Sequence, residues 1–306
     1  MYKRMLVPLD GSELAESILP YTAEVAARFG LEVILFHGCT GGEAELSPLY
    51  SAYMERATDV LRRESEAIWN RTGRPPGDRK LELQCKVAAG DAADRILRCA
   101  GEEEADLILM ATHGRSGVTR WALGSVADKV LQASPVPVWL VRAGTPERIM
   151  SEEWSQKAVL VPLDGSELAE SVLPHVEELA KGRDDDPMDV ILLAVVEPIV
   201  YPALDPSFSP VEFHEALEAY AETRRGYIGE TEKLLRDRGL EVRSEVQMGS
   251  PAEEIVNYAD ENRIDLVVMA THGRSGISRW VYGSVAERVL TGTSRPVFLV
   301  RPGKDS

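Results

Sequence analysis

The sequence predicts an α/β fold made twice, as two tandem doubly wound sheets of five parallel strands, each in the order 3-2-1-4-5. Three observations predict it. Leu6–Pro20 reads LVPLDGSELAESILP and recurs at Leu160–Pro174 with Ile18 replaced by Val172, and MATHGRSG occurs at Met110–Gly117 and again at Met269–Gly276. Within each copy, short β-branched runs alternate with helical patterns, as βαβ units of a parallel sheet require. The near-identical stretches follow the ends of predicted strands, where open α/β sheets place their ligand loops, and the sequence between them has diverged.

Taken in order, the first copy has strands near Arg4–Pro8, Glu32–His37, Leu81–Val87, Asp106–Ala111 and Val136–Val141. The second repeats them near Lys157–Pro162, Asp189–Val196, Glu241–Gln247, Asp265–Ala270 and Pro296–Val300. After the first strand, Ser12 and Ser166 suit the N-cap of a helix with one apolar face (Leu14, Ile18, Val25; Leu168, Val172, Leu179), which Pro20 and Pro174 should kink. After the fourth strand, Ser284-Val-Ala-Glu287 reads as a capping box and Ser125-Val-Ala-Asp128 as its relative, each directly after a glycine. Gly41–Pro48 and Glu197–Pro210 are irregular loops in equivalent places that suit lids. The polar stretch 144–156 reads as a linker, so the expected domains are residues 1–143 and 157–306. A five-strand sheet leaves an open edge, and the apolar last strands, Pro137–Val141 and Pro296–Val300, are expected to pair and cover it.

A chain of 306 residues suits two domains of roughly 100–200 residues each. The formal charge of −16 argues against a nucleic-acid backbone or an anionic membrane as partner, because association would begin with long-range repulsion. A local basic loop can still hold a phosphate. No apolar run approaches the roughly 20 residues of a spanning helix, and the chain enters a strand at once without a signal-peptide layout, so a cytoplasmic location is expected. Cys39, Cys85 and Cys99 have no counterparts in the second copy and show no metal-binding spacing.

The repeated loops carry the candidate chemistry. Nine residues separate Gly114 from Gly124, and Gly273 from Gly283, and each later glycine is followed by serine. A tight glycine turn at a strand end and a helix N-terminus close by offer backbone N–H groups that can surround one polyphosphate. Glycines that merely turn the chain are the plainer alternative, but the spacing recurs in full. In a 3-2-1-4-5 sheet the first and fourth strands are neighbours, so Asp10 and Asp164 face the glycine loops across one crevice, able to accept from a ribose or base or to brace an Asx-type turn. His113 and His272 have no second histidine or cysteine at ligand spacing, and positioning of the loop is the reading for them. Arg115 with Arg120, and Arg274 with Arg279, add charge near phosphates or are simply solvated, while Trp121 and Trp280 pack the loop.

V-P-x-D-G-S at the first strand, A-T-H-G followed after nine residues by G-S, and a closing P-V-x-L-V-R strand together resemble the universal stress protein family, in a tandem-domain form, over nearly all of both copies. The resemblance implies a flavodoxin-like, adenine nucleotide alpha hydrolase-like fold, ATP bound in the crevice with or without Mg2+, and edge strands that pair domains. It places the adenosine end near Pro8, Asp10 and Gly38, and near Pro162, Asp164 and Val195. The loop and phosphate positions are Ala111, His113, Gly114, Arg115, Gly117, Gly124, Ser125 and Val126, with Ala270, His272, Gly273, Arg274, Gly276, Gly283, Ser284 and Val285 in the second copy. The family's loop commonly starts with glycine where this chain has Ala111 and Ala270, which weakens the inference of ATP binding.

The resulting expectation is a nucleotide-binding stress-response sensor or regulator with little or no hydrolysis, no catalytic residue and no protein-held metal. An internal pseudo-dimer, a homodimer and an unidentified regulatory protein are its expected assemblies. Two rivals stay open. A slow ATP hydrolase would want a Walker-type lysine or an evident base near the loop, and an interaction module without nucleotide is favoured by the two alanines. A phosphoacceptor receiver would need an aspartate at the end of the third strand, where the chain has Lys86-Val87 and Gln247-Met248.

Overall fold

The computed structural model describes residues 2–39, 47–72, 81–112, 123–142, 157–181, 187–198, 210–271 and 282–301. The chain divides into two compact units, Met1–Trp154 with Pro296–Arg301, and Ser155–Arg295 with Pro302–Ser306. The linker expected at 144–156, residues 41–46 and 199–209 of the two lid loops, and the histidine-containing glycine loops lie outside the described residues.

In the first copy the elements are β1 (Arg4–Pro8), α1 (Glu13–Glu16), α2 (Leu19–Phe29), β2 (Glu32–Cys39), α3 (Ser47–Thr72), β3 (Leu83–Ala89), α4 (Ala92–Glu102), β4 (Leu107–Ala111), α5 (Ser125–Ala133) and β5 (Val138–Val141). The second copy follows the same order as β6 (Lys157–Pro162), α6 (Glu167–Glu170), α7 (Leu173–Lys181), β7 (Met188–Val196), α8 (Pro210–Asp237), β8 (Glu241–Met248), α9 (Pro251–Glu261), β9 (Leu266–Ala270), α10 (Ser284–Gly292) and β10 (Val297–Val300).

The first unit's sheet runs β3-β2-β1-β4-β5, all parallel, which is the expected 3-2-1-4-5. It is not wholly parallel, however. β10 adds a sixth strand, antiparallel to β5, with Phe298 opposite Trp139 and Val297 opposite Leu140. The two last strands therefore pair, as their open apolar edges require. The second unit's sheet runs β8-β7-β6-β9, all parallel.

Central strands carry unbroken apolar runs because both faces are covered: every residue of β4 and of β9 is buried. The edge strand β3 is mostly exposed or half-buried, in keeping with its Gln84, Cys85 and Lys86. Helix α2 buries Leu19, Tyr21, Val25 and Ala26 and ends on Gly30 in the left-handed conformation, φ 64°.

Two local expectations are corrected. Pro20 and Pro174 do not kink one helix; the chain breaks into two, α1 then α2 and α6 then α7. A mid-helix proline lacks its N–H and collides with the carbonyl four residues back, whereas in a first turn it meets neither problem. Nor are Ser125 and Ser284 N-caps. The cap is the preceding glycine, Gly124 (φ −64°, ψ 145°) and Gly283 (φ −59°, ψ 147°), and no side chain caps either helix.

Candidate functional site

Each unit has a cavity at the C-terminal ends of its central strands. The V-P-L-D-G-S turn forms one wall. Gly11 and Gly165 take φ of 81° and 79°, a left-handed conformation that a side chain would strain, and so fold the chain sharply off β1 and β6. Asp10 Oδ1 then accepts from the Ser12 N–H at 3.0 Å and the Ser12 hydroxyl at 2.6 Å, while Ser12 Oγ accepts from the Ala15 N–H at 3.1 Å. Asp164 and Ser166 repeat these bonds at 3.0, 2.6 and 3.1 Å. The bracing role of the aspartate is thus realised in both copies. Behind the second turn the Tyr227 hydroxyl donates to Glu170 at 2.7 Å. Burial, with the Glu170 carboxylate adding to it, pushes that phenol well above its ordinary range and keeps it protonated. Tyr53 is raised in the same way behind the first turn, by burial and then by the charges of Glu16 and Asp10.

The opposite wall is the strand end and the helix start. The Gly124 N–H donates to the Thr112 carbonyl at 2.9 Å and the Gly283 N–H to the Thr271 carbonyl at 2.8 Å, which ties each helix to the strand before it. The glycine carbonyl accepts the first helical bond, from Asp128 at 2.9 Å and from Glu287 at 3.0 Å. The next amides, of Ser125 and Val126 and of Ser284 and Val285, stand at the positive end of a helix dipole that no side chain caps. This arrangement suits an anion.

Of the residues expected at the first site, Pro8, Asp10, Gly38, Ala111, Gly124, Ser125 and Val126 line one cavity of about 260 Å³. In the second unit Pro162, Asp164, Val195, Ala270, Gly283, Ser284 and Val285 line one of about 350 Å³. His113, Gly114, Arg115 and Gly117, and their counterparts His272, Gly273, Arg274 and Gly276, lie outside the described residues, as do Arg120, Trp121, Arg279 and Trp280. Ala111 and Ala270 are the last residues of β4 and β9, and among the described residues positive φ outside glycine occurs at Glu104 and Arg263. Alanine in place of glycine is therefore accommodated at both strand ends without backbone strain.

Sequence reasoning missed the apolar floor, Phe36, Ile96 and Met110 in the first cavity and Leu193, Ile255 and Met269 in the second. It also missed Tyr220 and Arg224, which reach the second cavity from α8. Their spacing of four residues was a usable signal, since it puts both on one helix face. Among the described residues no helix is long and apolar enough to cross a membrane.

Comparison with known proteins agrees with this architecture. Residues 1–142 and 156–301 each match the profile of the universal stress protein family. Universal stress protein MJ0531 of Methanocaldococcus jannaschii is 30% identical over 148 residues, 48% of this chain and 84% of that protein. A universal stress protein of Mycolicibacterium smegmatis is 22% identical with 97% of both chains covered. The crystal structure of a universal stress protein from Archaeoglobus fulgidus superposes with a TM-score of 0.64 at 21% identity, covering 99% of this chain and 97% of the other, and so shares the fold. With both halves matched, the chain belongs to the universal stress protein family.

Proposed function

We propose that this protein is a cytoplasmic nucleotide-binding sensor or regulator of a stress response, with an ATP-type ligand in each cavity and little or no hydrolysis. One observation carries the reading: in both units the aspartate turn and the uncapped, strand-anchored start of α5 or α10 border the same cavity. A polyphosphate at the helix start and a nucleoside toward Asp10 or Asp164 would fill such a cleft with opposite ends recognised by different walls. Binding of this kind holds the ground state. Fast phosphoryl transfer also needs developing charge neutralised and a nucleophile positioned, and no Walker-type lysine follows the glycine turn in either copy. The antiparallel pairing of β10 with β5 supports an internal pseudo-dimer of the two repeats.

Calorimetric titration of the full chain with ATP tests the reading, alongside Gly124→Val and Gly283→Val. A valine at the cap narrows the approach to the Ser125 or Ser284 amides, and each variant should lose a separate binding event. ATP binding unchanged in both variants would show the cavity to be the wrong place. Phosphate release on the order of 1 per second or faster, absent from the double variant, would replace the sensor with an ATP hydrolase.

A further inference from the structure

The two cavities differ in one respect that their near-identical loops conceal. Tyr53 and Tyr227 occupy matching places behind the first turns, beside Glu16 and Glu170. Counting back one helical turn from each, Arg224 stands where the first repeat has Tyr50. Tyr50 is turned inward. It is buried and stacks on His37 with ring centroids 4.3 Å apart, and the His37 Nδ1–H donates to the Leu9 carbonyl at 2.7 Å. The register of β2 on β1 and of β7 on β6 puts Ala194 in the place of His37, so the second unit has no ring there to hold an aromatic inward. Arg224 instead donates through Nη1 to the Asp164 carbonyl at 2.8 Å, and through Nε and Nη2 to the Tyr220 hydroxyl at 3.2 and 2.7 Å. Its guanidinium carbon lies 5.0 Å from the centre of the Tyr220 ring, and Tyr220 remains 38% exposed while lining the cavity.

Resting on the nucleotide reading, we infer that Tyr220 and Arg224 form a base-binding platform for the second cavity, and that the first cavity, where a buried Tyr50 stands in the place of Arg224, is the weaker site. Purine bases stack on aromatic rings and on guanidinium planes alike. Three hydrogen bonds already hold this pair in place, so little side-chain freedom remains to be lost when a base arrives. The Arg224 bond to the Asp164 carbonyl puts the platform on the Asp164 side of the cavity, whereas the phosphates are assigned to the α10 start. In the first cavity the corresponding residue is engaged with His37, and Phe36 replaces the smaller Leu193 in a cavity of about 260 rather than 350 Å³.

The experiment titrates the full chain, and its Arg224→Ala, Arg224→Lys, Tyr220→Ala and Gly283→Val variants, with ATP and with inorganic tripolyphosphate, which has phosphates but no base. Unchanged circular dichroism establishes that each variant is folded. Wild type should show two unequal ATP sites. Arg224→Ala and Tyr220→Ala should each weaken the tighter one about tenfold, Arg224→Lys should match the alanine variant because it keeps the charge and loses the plane, and tripolyphosphate binding should not change. If Gly283→Val removes the tight site while the α8 variants leave it intact, the platform is refuted and the nucleotide reading stands. A loss for tripolyphosphate as large as that for ATP would make Arg224 a phosphate contact and also refute the platform. If Gly283→Val leaves ATP binding intact as well, the nucleotide reading of the second cavity falls and takes the platform with it.

Discussion

Phe298→Ala is expected to destabilise the first unit by about 4 kcal/mol, although the residue belongs to the second sequence repeat. Phe298 is fully buried on β10 and meets two rings edge-on, Trp139 at 5.6 Å and 82° and Tyr2 at 6.2 Å and 68°. Truncating a buried phenylalanine typically costs about 3–5 kcal/mol through lost transfer energy and the cavity left behind. Each aromatic contact is worth about 0.5–1.5 kcal/mol beyond buried area. With a urea slope on the order of 2–3 kcal/mol per molar, the first unit's midpoint should fall by roughly 1.5 M. Urea unfolding monitored by hydrogen exchange at the β5 amides reads that unit rather than the whole chain. A cycle of Phe298→Leu, Trp139→Leu and the double variant isolates the ring contact, with an expected coupling of about 1 kcal/mol. A loss below about 1 kcal/mol for Phe298→Ala, with β5 exchange unchanged, would refute the assignment of β10 to this unit's core.

Three further outcomes are expected. Ser12→Ala and Ser166→Ala should each cost about 1–2 kcal/mol in equilibrium unfolding, since each removes a helix cap and a donor to the adjacent aspartate; neutral substitutions would contradict that bracing role. Pro20→Ala should change stability by less than about 1 kcal/mol, because a first-turn proline replaces no helical hydrogen bond; a much larger loss would mean that the ring itself stabilises the start of α2. Burial lowers the pKa of His175 below its ordinary 6.5, so the unfolded chain takes up that proton first as the pH falls. Its contribution is present above about 6.5 and declines below it, and His175→Gln should flatten the stability profile between pH 6.5 and 5; an identical profile in the variant would exclude His175 as the source.

Much of the fold was legible because fully covered strands advertise themselves. Met5-Leu6-Val7, Val33–Phe36 and Leu107–Met110 are unbroken apolar runs; β1 has the limits expected of it, while β2 continues two residues past His37 to Cys39 and β4 begins at Leu107 rather than Asp106. The edge strand β3 was less clear: Leu81 and Glu82 continue its alternation, yet regular pairing begins at Leu83. The walls of the two cavities were legible from repetition, since the turns that line them are the stretches the copies share. Their floors were not. Phe36, Met110 and Ile96 look in sequence like any core residue, and only the stacking of β2, β4 and α4 brings them to one cavity. Arg224 lies 60 positions from its acceptor at Asp164, so its role depends on where α8 comes to rest. The capping register failed for a different reason: serine is the commoner cap, but here the glycine amide is engaged by a strand carbonyl, which makes the glycine the first residue at the helix boundary.

The place of β10 also has a consequence for synthesis of the chain. The first unit includes a strand that begins at Val297, whereas β5, its partner, ends at Val141. At roughly 5–20 residues per second, a ribosome delivers β10 on the order of ten seconds after β5 has been made. Throughout that interval the Val138–Val141 edge, apolar and with unmet backbone groups, is open to any passing strand. The first half of this protein therefore emerges first and is completed last, and its period of greatest exposure to misassembly is set by the translation time of the second half.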